Sequence, residues 1–288
     1  MNFNQKIALG LGTGVLVAGL GIGGFYLANH FTENETTTVV VSDAVSDTGS
    51  TELVEDKNKI TSGGTYTFTG NIDGKISVDT SEKVTIVLNG VSIKSSDGAA
   101  IKCQEGSNVT IQLVGSSTIT GAAESDGINS EGDLTIEGDG TLTIKADDDG
   151  IHADGKIEIN GGTINITAAE GIEATYVVVN DGAINISASD DGINAANKST
   201  DYSVAVEING GDITIKMGQG DTDGIDSNGD LTITGGTVNI TGQSAFDYDG
   251  TAKYTGGTLI VNGETVTKIT NQFENDTQGG GGRPMMMR

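Results

Sequence analysis

The chain has 288 residues, enough for one large domain with a continuous core. Its 45 glycines beside one proline and no tryptophan suit many tight turns between short strands and argue against a Pro-rich disordered chain. With 40 Asp plus Glu against 15 Lys plus Arg and a formal net charge of -25, the surface repels nucleic acid and anionic lipid and favours cations, while the lone cysteine, Cys103, excludes an intrachain disulfide framework and a structural zinc site.

In chain order, Lys6 precedes an uncharged run rich in Leu, Val, Ala and Gly from Ile7 to Ala28. At about 1.5 Å per residue it reaches across a bilayer core of roughly 30 Å, so residues 1–31 read as a signal anchor or a signal peptide. Tyr26, three positions before a cut after Ala28, fits a cleavage site poorly and favours the anchor. Residues 32–53, rich in Thr, Ser, Asp and Val, read as a flexible stalk. The expected location is the extracellular cell surface, with the membrane touched only through the N-terminal segment.

From about residue 54 to 270 the sequence repeats. An acid, a glycine and a branched apolar residue recur at Asp126-Gly127-Ile128, Asp149-Gly150-Ile151, Glu170-Gly171-Ile172, Asp191-Gly192-Ile193 and Asp223-Gly224-Ile225, with Ser244-Ala245-Phe246 as a degenerate last copy. The apolar members step by 23, 21, 21, 32 and 21 residues, and the long step marks an insertion near Ala195 to Ser203. Between these words, alternating pairs such as Leu134/Ile136 and Leu142/Ile144 flank a glycine turn, the period-two pattern of strands with one buried face. Three strands in about 22 residues predict an all-β, right-handed parallel β-helix, whose coils stack at about 4.8 Å. A β-sandwich would not demand so regular a register, and a calcium roll needs a nine-residue repeat. Tyr66 to Ile76 is the expected cap of the first coil, and the Gly- and Met-rich residues 271–288 read as a disordered tail.

Stacking turns the repeat into columns. The acid before each glycine forms one, Asp126, Asp149, Glu170, Asp191 and Asp223, and the residue after the apolar member forms another, Asn129, His152, Glu173, Asn194, Asp226 and Asp247. Further oxygens lie upstream at Asp147, Asp148, Asp190 and Asp221. Carboxylates one rung apart repel by roughly 3.5 kcal/mol at an effective dielectric of 20. The same spacing is about twice a calcium–oxygen distance of roughly 2.4 Å, so several Ca2+ ions shared between rungs are expected, with these residues as ligands. His152 reads as a gap in that column or a substrate contact, with a solvent-facing turn histidine as the commoner case, and receives no catalytic role.

The run Val84 to Ile93, the DGI words at Asp126, Asp149, Asp191 and Asp223, and the pattern from Gly229 to Ile240 resemble the calcium-binding β-helix carbohydrate-binding domain family, of the clostridial cellulose- and polygalacturonate-binding type. The resemblance implies a pectate-lyase-like fold and an extracellular, non-catalytic domain that binds calcium and acidic plant cell-wall polysaccharide such as pectin, with cellulose as a further ligand. Only the DGI acids and their neighbouring oxygens match its metal pattern. Two other functions stay open. One is a calcium-assisted polysaccharide lyase, whose base would be a lysine (Lys145, Lys156, Lys198 or Lys216), because both arginines, Arg283 and Arg288, lie in the tail. The other is a calcium-stiffened adhesin or spacer. Tyr176, Tyr202, Tyr248 and Tyr254 offer stacking surface for sugar, although no tryptophan supports a broad platform and core or edge packing is the commoner use of each tyrosine taken singly.

Overall fold

The computed structural model describes residues 40–41, 58–219 and 222–271, all within one compact unit spanning residues 36–288. The expected anchor, the stalk but for Val40–Val41, the tail beyond Asn271 and Asp221 lie outside the described residues. Among the described residues there is no helix, and hence none that is long and apolar enough to cross a membrane.

The chain winds as a parallel β-solenoid of about 9 turns with about 23 residues per turn. Each turn lays its three strands on those of the turn before, in register. On the first face Ile76, Ile101, Ile128, Ile151, Ile172, Ile193, Ile225 and Phe246 pair in succession, and every one is buried. On the second, Val84, Val109, Leu134, Ile157, Val177, Val206 and Leu231 do the same. The third stacks Leu142, Ile164, Ile184, Ile213, Val238 and Leu259. Alternation along each strand sends these branched side chains inward, where each contributes roughly 1.5–3 kcal/mol of burial, and sends Thr, Asn, Glu and Lys outward. Cys103 also faces inward on the first face, in the neighbouring column between Val78 and Ser130, and burial pushes its thiol up to about 12, so it packs as a small apolar residue.

The glycine of the DGI word has a reason that turn chemistry does not supply. Gly150, Gly171, Gly192 and Gly224 have ordinary negative φ, and a Cβ on Gly192 would run into the carbonyl oxygen of Gly224 and the side chain of Ile215. Neighbouring coils therefore touch backbone to backbone here, which draws the acids on either side together. Left-handed glycines sit instead at the corner between the second and third faces, as at Gly162 (φ 87) and Gly211 (φ 83).

Two expectations are redrawn. Residues Tyr66 to Ile76 form no cap: Gly64–Asp73 is a strand paired in parallel with Lys83–Lys94, and Ile76–Val78 pairs with both Lys59–Ile60 and Ile101–Cys103. The far end closes with an antiparallel pair, Thr258–Val261 against Glu264–Val266. The long step after Ile193 is also divided, because the second-face partners Val177 and Val206 are closer in sequence than the first-face partners Ile193 and Ile225. Most of the extra residues lie between Ala195 and Ala205, and the rest between Met217 and Asp223.

Candidate functional site

The outward positions of the first face form one column from end to end: Lys59, Ser77, Lys102, Asn129, His152, Glu173, Asn194, Asp226 and Asp247. Its charge runs from basic to acidic along the axis. Beside the acidic part stands the second column, Asp126, Asp149, Glu170, Asp191 and Asp223, of which Asp149 pairs with Glu170 and Asp223 with Ser244.

One oxygen of the acid before glycine has a backbone task. Asp126 Oδ1 accepts the amide of Asp149 at 3.1 Å, and Asp191 Oδ1 accepts that of Asp223 at 2.9 Å. Each acid thus ties its coil to the next, and Ser244 continues the series by donating its hydroxyl to Asp223.

At the upper end, ligand oxygens of Asp126, Asp148 and Asp149 lie within 4.8 Å of one another. Burial raises Asp149 to about 6 although His152 bonds to it, and burial with the charges of Asp126 and Glu173 raises Asp148. Asn129 is less free than its place in the column suggests: its amide donates to Asp126 and its oxygen accepts Lys102 Nζ at 2.6 Å. Asp147 is exposed, accepts the amide of Glu124, and lines a surface hollow of about 550 Å³ with Ala146, Thr167, Ala168, Ser187 and Lys216, away from the three converging carboxylates.

The middle of the ladder holds its own cations. His152 Nδ1 lies 2.8 Å from Asp149 Oδ2 and 2.9 Å from Glu173 Oε2, and Nε2 lies 3.2 Å from Asp154 Oδ1. Burial opposes charge on the ring, but the bonds to Asp149 and Glu173 outweigh it and hold His152 at about 10, an imidazolium at neutral pH with both nitrogens donating. Lys198 Nζ completes the group 2.8 Å from Glu173 Oε1. Glu173, 94% buried by area since only 6% is exposed, is held at about 2 because His152 and Lys198 overcome the cost of its burial. A solvent-facing histidine is therefore replaced by a largely buried one bridging three carboxylates. Its partner one coil on is given by the column register, whereas Lys198 comes from the excursion after Ala195 and carries no repeat signal.

The lower end is arranged around an amide instead. Asn194, 8% exposed, donates to Glu170 at 2.9 Å and to Glu173 at 3.4 Å, which leaves its buried Oδ1 without a partner among the described residues. Burial raises Glu170 to about 8, with Glu173, Asp149 and Asp191 adding to the shift. Asp191 stands at about 6 and Asp226 at about 7, both through burial first and then through Asp223 and Asp247. Asp190 is exposed and adds its charge to Asp191. Asp247 is half-buried on the rung after Asp226. These side chains are oxygen donors of the kind a hard divalent cation takes, although among the described residues the all-carboxylate group whose ligand atoms lie within 4.8 Å of one another is Asp126, Asp148 and Asp149, at the upper end.

Comparison with known proteins bears on the whole solenoid. Residues 54–278 match the family model described as carbohydrate-binding domain-containing protein. Among solved structures, a polysaccharide lyase-like protein from C. thermocellum, determined as a gadolinium derivative, is similar at 28% identity and a TM-score of 0.54, over 70% of this chain and 86% of that one. No curated protein matches the chain.

Proposed function

The chain belongs to the family of carbohydrate-binding domain-containing proteins, and from that premise we propose that it is an extracellular, calcium-dependent binder of acidic polysaccharide such as polygalacturonate. The observation that carries the calcium reading is the lower ladder, where burial and then the charges of Asp190, Asp223 and Asp247 raise Asp191, burial and then those of Asp191, Asp247 and Asp223 raise Asp226, and the buried Oδ1 of Asn194 lacks a partner among the described residues. A divalent ion would lower the cost of those charges and complete that oxygen. The three converging carboxylates Asp126, Asp148 and Asp149 support a second ion at the other end. Gadolinium, present in the similar C. thermocellum structure, is a hard cation with the same appetite for oxygen.

An acidic glycan approaching a chain of net charge -25 is repelled unless a cation stands between them. Calcium accepts six to eight oxygens, more than the side chains of one rung supply, so uronate carboxylates can fill the remainder. The lysine-base lyase has less support. Burial works against the charge on Lys198, but Glu173, Asp149 and Glu170 raise its pKa, so it stays protonated and makes a poor base. Lys156 is likewise tied to Glu158 at 2.6 Å.

The test is retention of the chain on immobilised polygalacturonate, with millimolar calcium and with excess chelator, beside calorimetric titration with calcium alone. Retention only in calcium is expected. Heat of calcium binding without retention would turn the reading to a stiffened spacer, and equal retention in chelator would remove calcium from it.

A further inference from the structure

The excursion between Ala195 and Ala205 is not needed to close its coil. One turn earlier the chain passes from Ala174 to the same second-face column with only Thr175 and Tyr176 before Val177. What the extra residues deliver is Lys198, onto Glu173, and Tyr202, onto Tyr176. The two rings lie 6.0 Å apart, tilted by 40°, and each is half-buried.

The excursion is clamped rather than draped. Thr175 Oγ1 donates to the carbonyl of Asp154 at 2.7 Å and accepts the amides of Lys198 and Ser199 at 2.9 and 2.8 Å. Tyr202 donates its hydroxyl to Asp133 Oδ2 at 2.7 Å, reaching back over coils it does not adjoin in sequence. Around the rings, the outward groups of the second face are already joined. Lys156 donates to Glu158 at 2.6 Å, and Asn180 to Asn160 Oδ1 at 2.8 Å. Asn209 donates to Asn180 Oδ1 and to Glu207 Oε1, and Tyr176 donates to Glu207 Oε2 at 2.5 Å. Fixed polar groups around aromatic surface lose little freedom when a ligand settles on them.

We propose that the corner formed by Tyr176 and Tyr202 is a second glycan subsite, separate from the acid ladder, and that it takes a neutral pyranose. A pyranose has an apolar C–H face and a rim of hydroxyls; a half-exposed tyrosine ring offers the first a surface, and the acids and amides of the network offer the second both acceptors and donors. Charge selects the class of sugar. Asp133, Glu158 and Glu207 outnumber Lys156, so like charge disfavours a uronate where it leaves a neutral hexose unaffected. The inference rests on the chain being a carbohydrate binder and is independent of calcium.

Cellohexaose is the probe, titrated into the full chain in excess chelator. With six tyrosines and no tryptophan in the chain, tyrosine emission reports contact, and calorimetry gives the affinity. Saturable binding is expected, weakened at least tenfold by Tyr202→Ala and no more than threefold by Tyr202→Phe, which keeps the ring and loses only the bond to Asp133. No saturable binding, indifference to Tyr202→Ala, or equal damage from Tyr202→Phe would each overturn the subsite, the last by reducing Tyr202 to an anchor. Polygalacturonate retention in calcium should stay the same in both variants. If the unaltered chain fails that retention yet binds cellohexaose, the ladder reading falls and this one stands.

Discussion

His152 and Asp226 occupy the same outward column of the same face, three rungs apart, and their surroundings have opposite electrostatics. Around His152 the chain supplies positive charge itself: an imidazolium between Asp149, Glu173 and Asp154, and Lys198 on the far oxygen of Glu173. Around Asp226 the neighbours that act on it most are Asp191, Asp247, Asp223 and Asp249, all acids. Glu173 is buried and Asp226 only half-buried, yet Glu173 is driven down to about 2 and Asp226 up to about 7. A stacked acid column needs positive charge wherever it runs. In one stretch that charge is covalently part of the fold, and around Asp226 the strongest charges are acids, so the second stretch is where an ion from outside has most to gain.

His152→Ala should break this contrast with the largest effect. Removing one partner of a buried charged group leaves the rest unpaired, so the chelated protein should lose about 3–5 kcal/mol of unfolding free energy. Millimolar calcium should recover much of it, since Asp149 and Glu173 then resemble the lower ladder. A loss below about 1 kcal/mol in denaturant titration would show that the imidazolium does not hold the middle rungs.

The pH dependence should separate the two stretches without any substitution. Asp191 and Asp226 rise from 3.8 to about 6 and about 7. Their folded state binds the extra proton, so the stability they contribute is complete below 3.8 and is lost as pH climbs through 6 to 7. His152 rises from 6.5 to about 10, so its contribution is complete below 6.5 and is lost as pH climbs through 10. Melting in chelator should therefore fall in two windows, and calcium should erase the lower one only. Within the lower ladder, Asp226→Asn should stabilise the chelated chain by about 1–2 kcal/mol at pH 8, less than half of the roughly 4 kcal/mol that a rise from 3.8 to about 7 carries at about 1.36 kcal/mol per pKa unit, and should shrink the rise in melting temperature that calcium produces.

How much of this was legible in the sequence depends on whether a residue belongs to the repeat. Ile128, Ile151 and Ile172 announce the solenoid because stacking requires the same side chain at the same place in each coil, and the spacing carries over directly into register. Asp191 and Asp226 were placed in the right columns for the same reason. Their unequal environments were not visible, since whether an acid meets a cation depends on side chains that do not repeat. Lys198 is one of several lysines in the sequence until the excursion sets it against Glu173, and no repeat signal shows that Lys102, one rung away, donates to the oxygen of Asn129. The role of the DGI glycine carries no local signal, because the contact that demands it, with the carbonyl of the next coil, joins residues more than twenty positions apart.

The smallest expected effect discriminates most finely. Lys198 is 35% exposed on its side chain, so its ion pair with Glu173 is partly screened, and Lys198→Met should cost less than about 1 kcal/mol in chelator. The substitution keeps the length and apolar stem of the side chain, and Thr175 still accepts the backbone amides that seat the excursion. What changes is the charge available to Glu173, which retains His152 alone. If solution ions settle where the fold supplies too little positive charge, this variant should bind calcium more tightly than the unaltered chain, or bind one ion more, in calorimetric titration. An unchanged isotherm would mean that the ladder's cation sites are set by the lower rungs alone, and that Lys198 serves chiefly to hold the excursion that carries Tyr202.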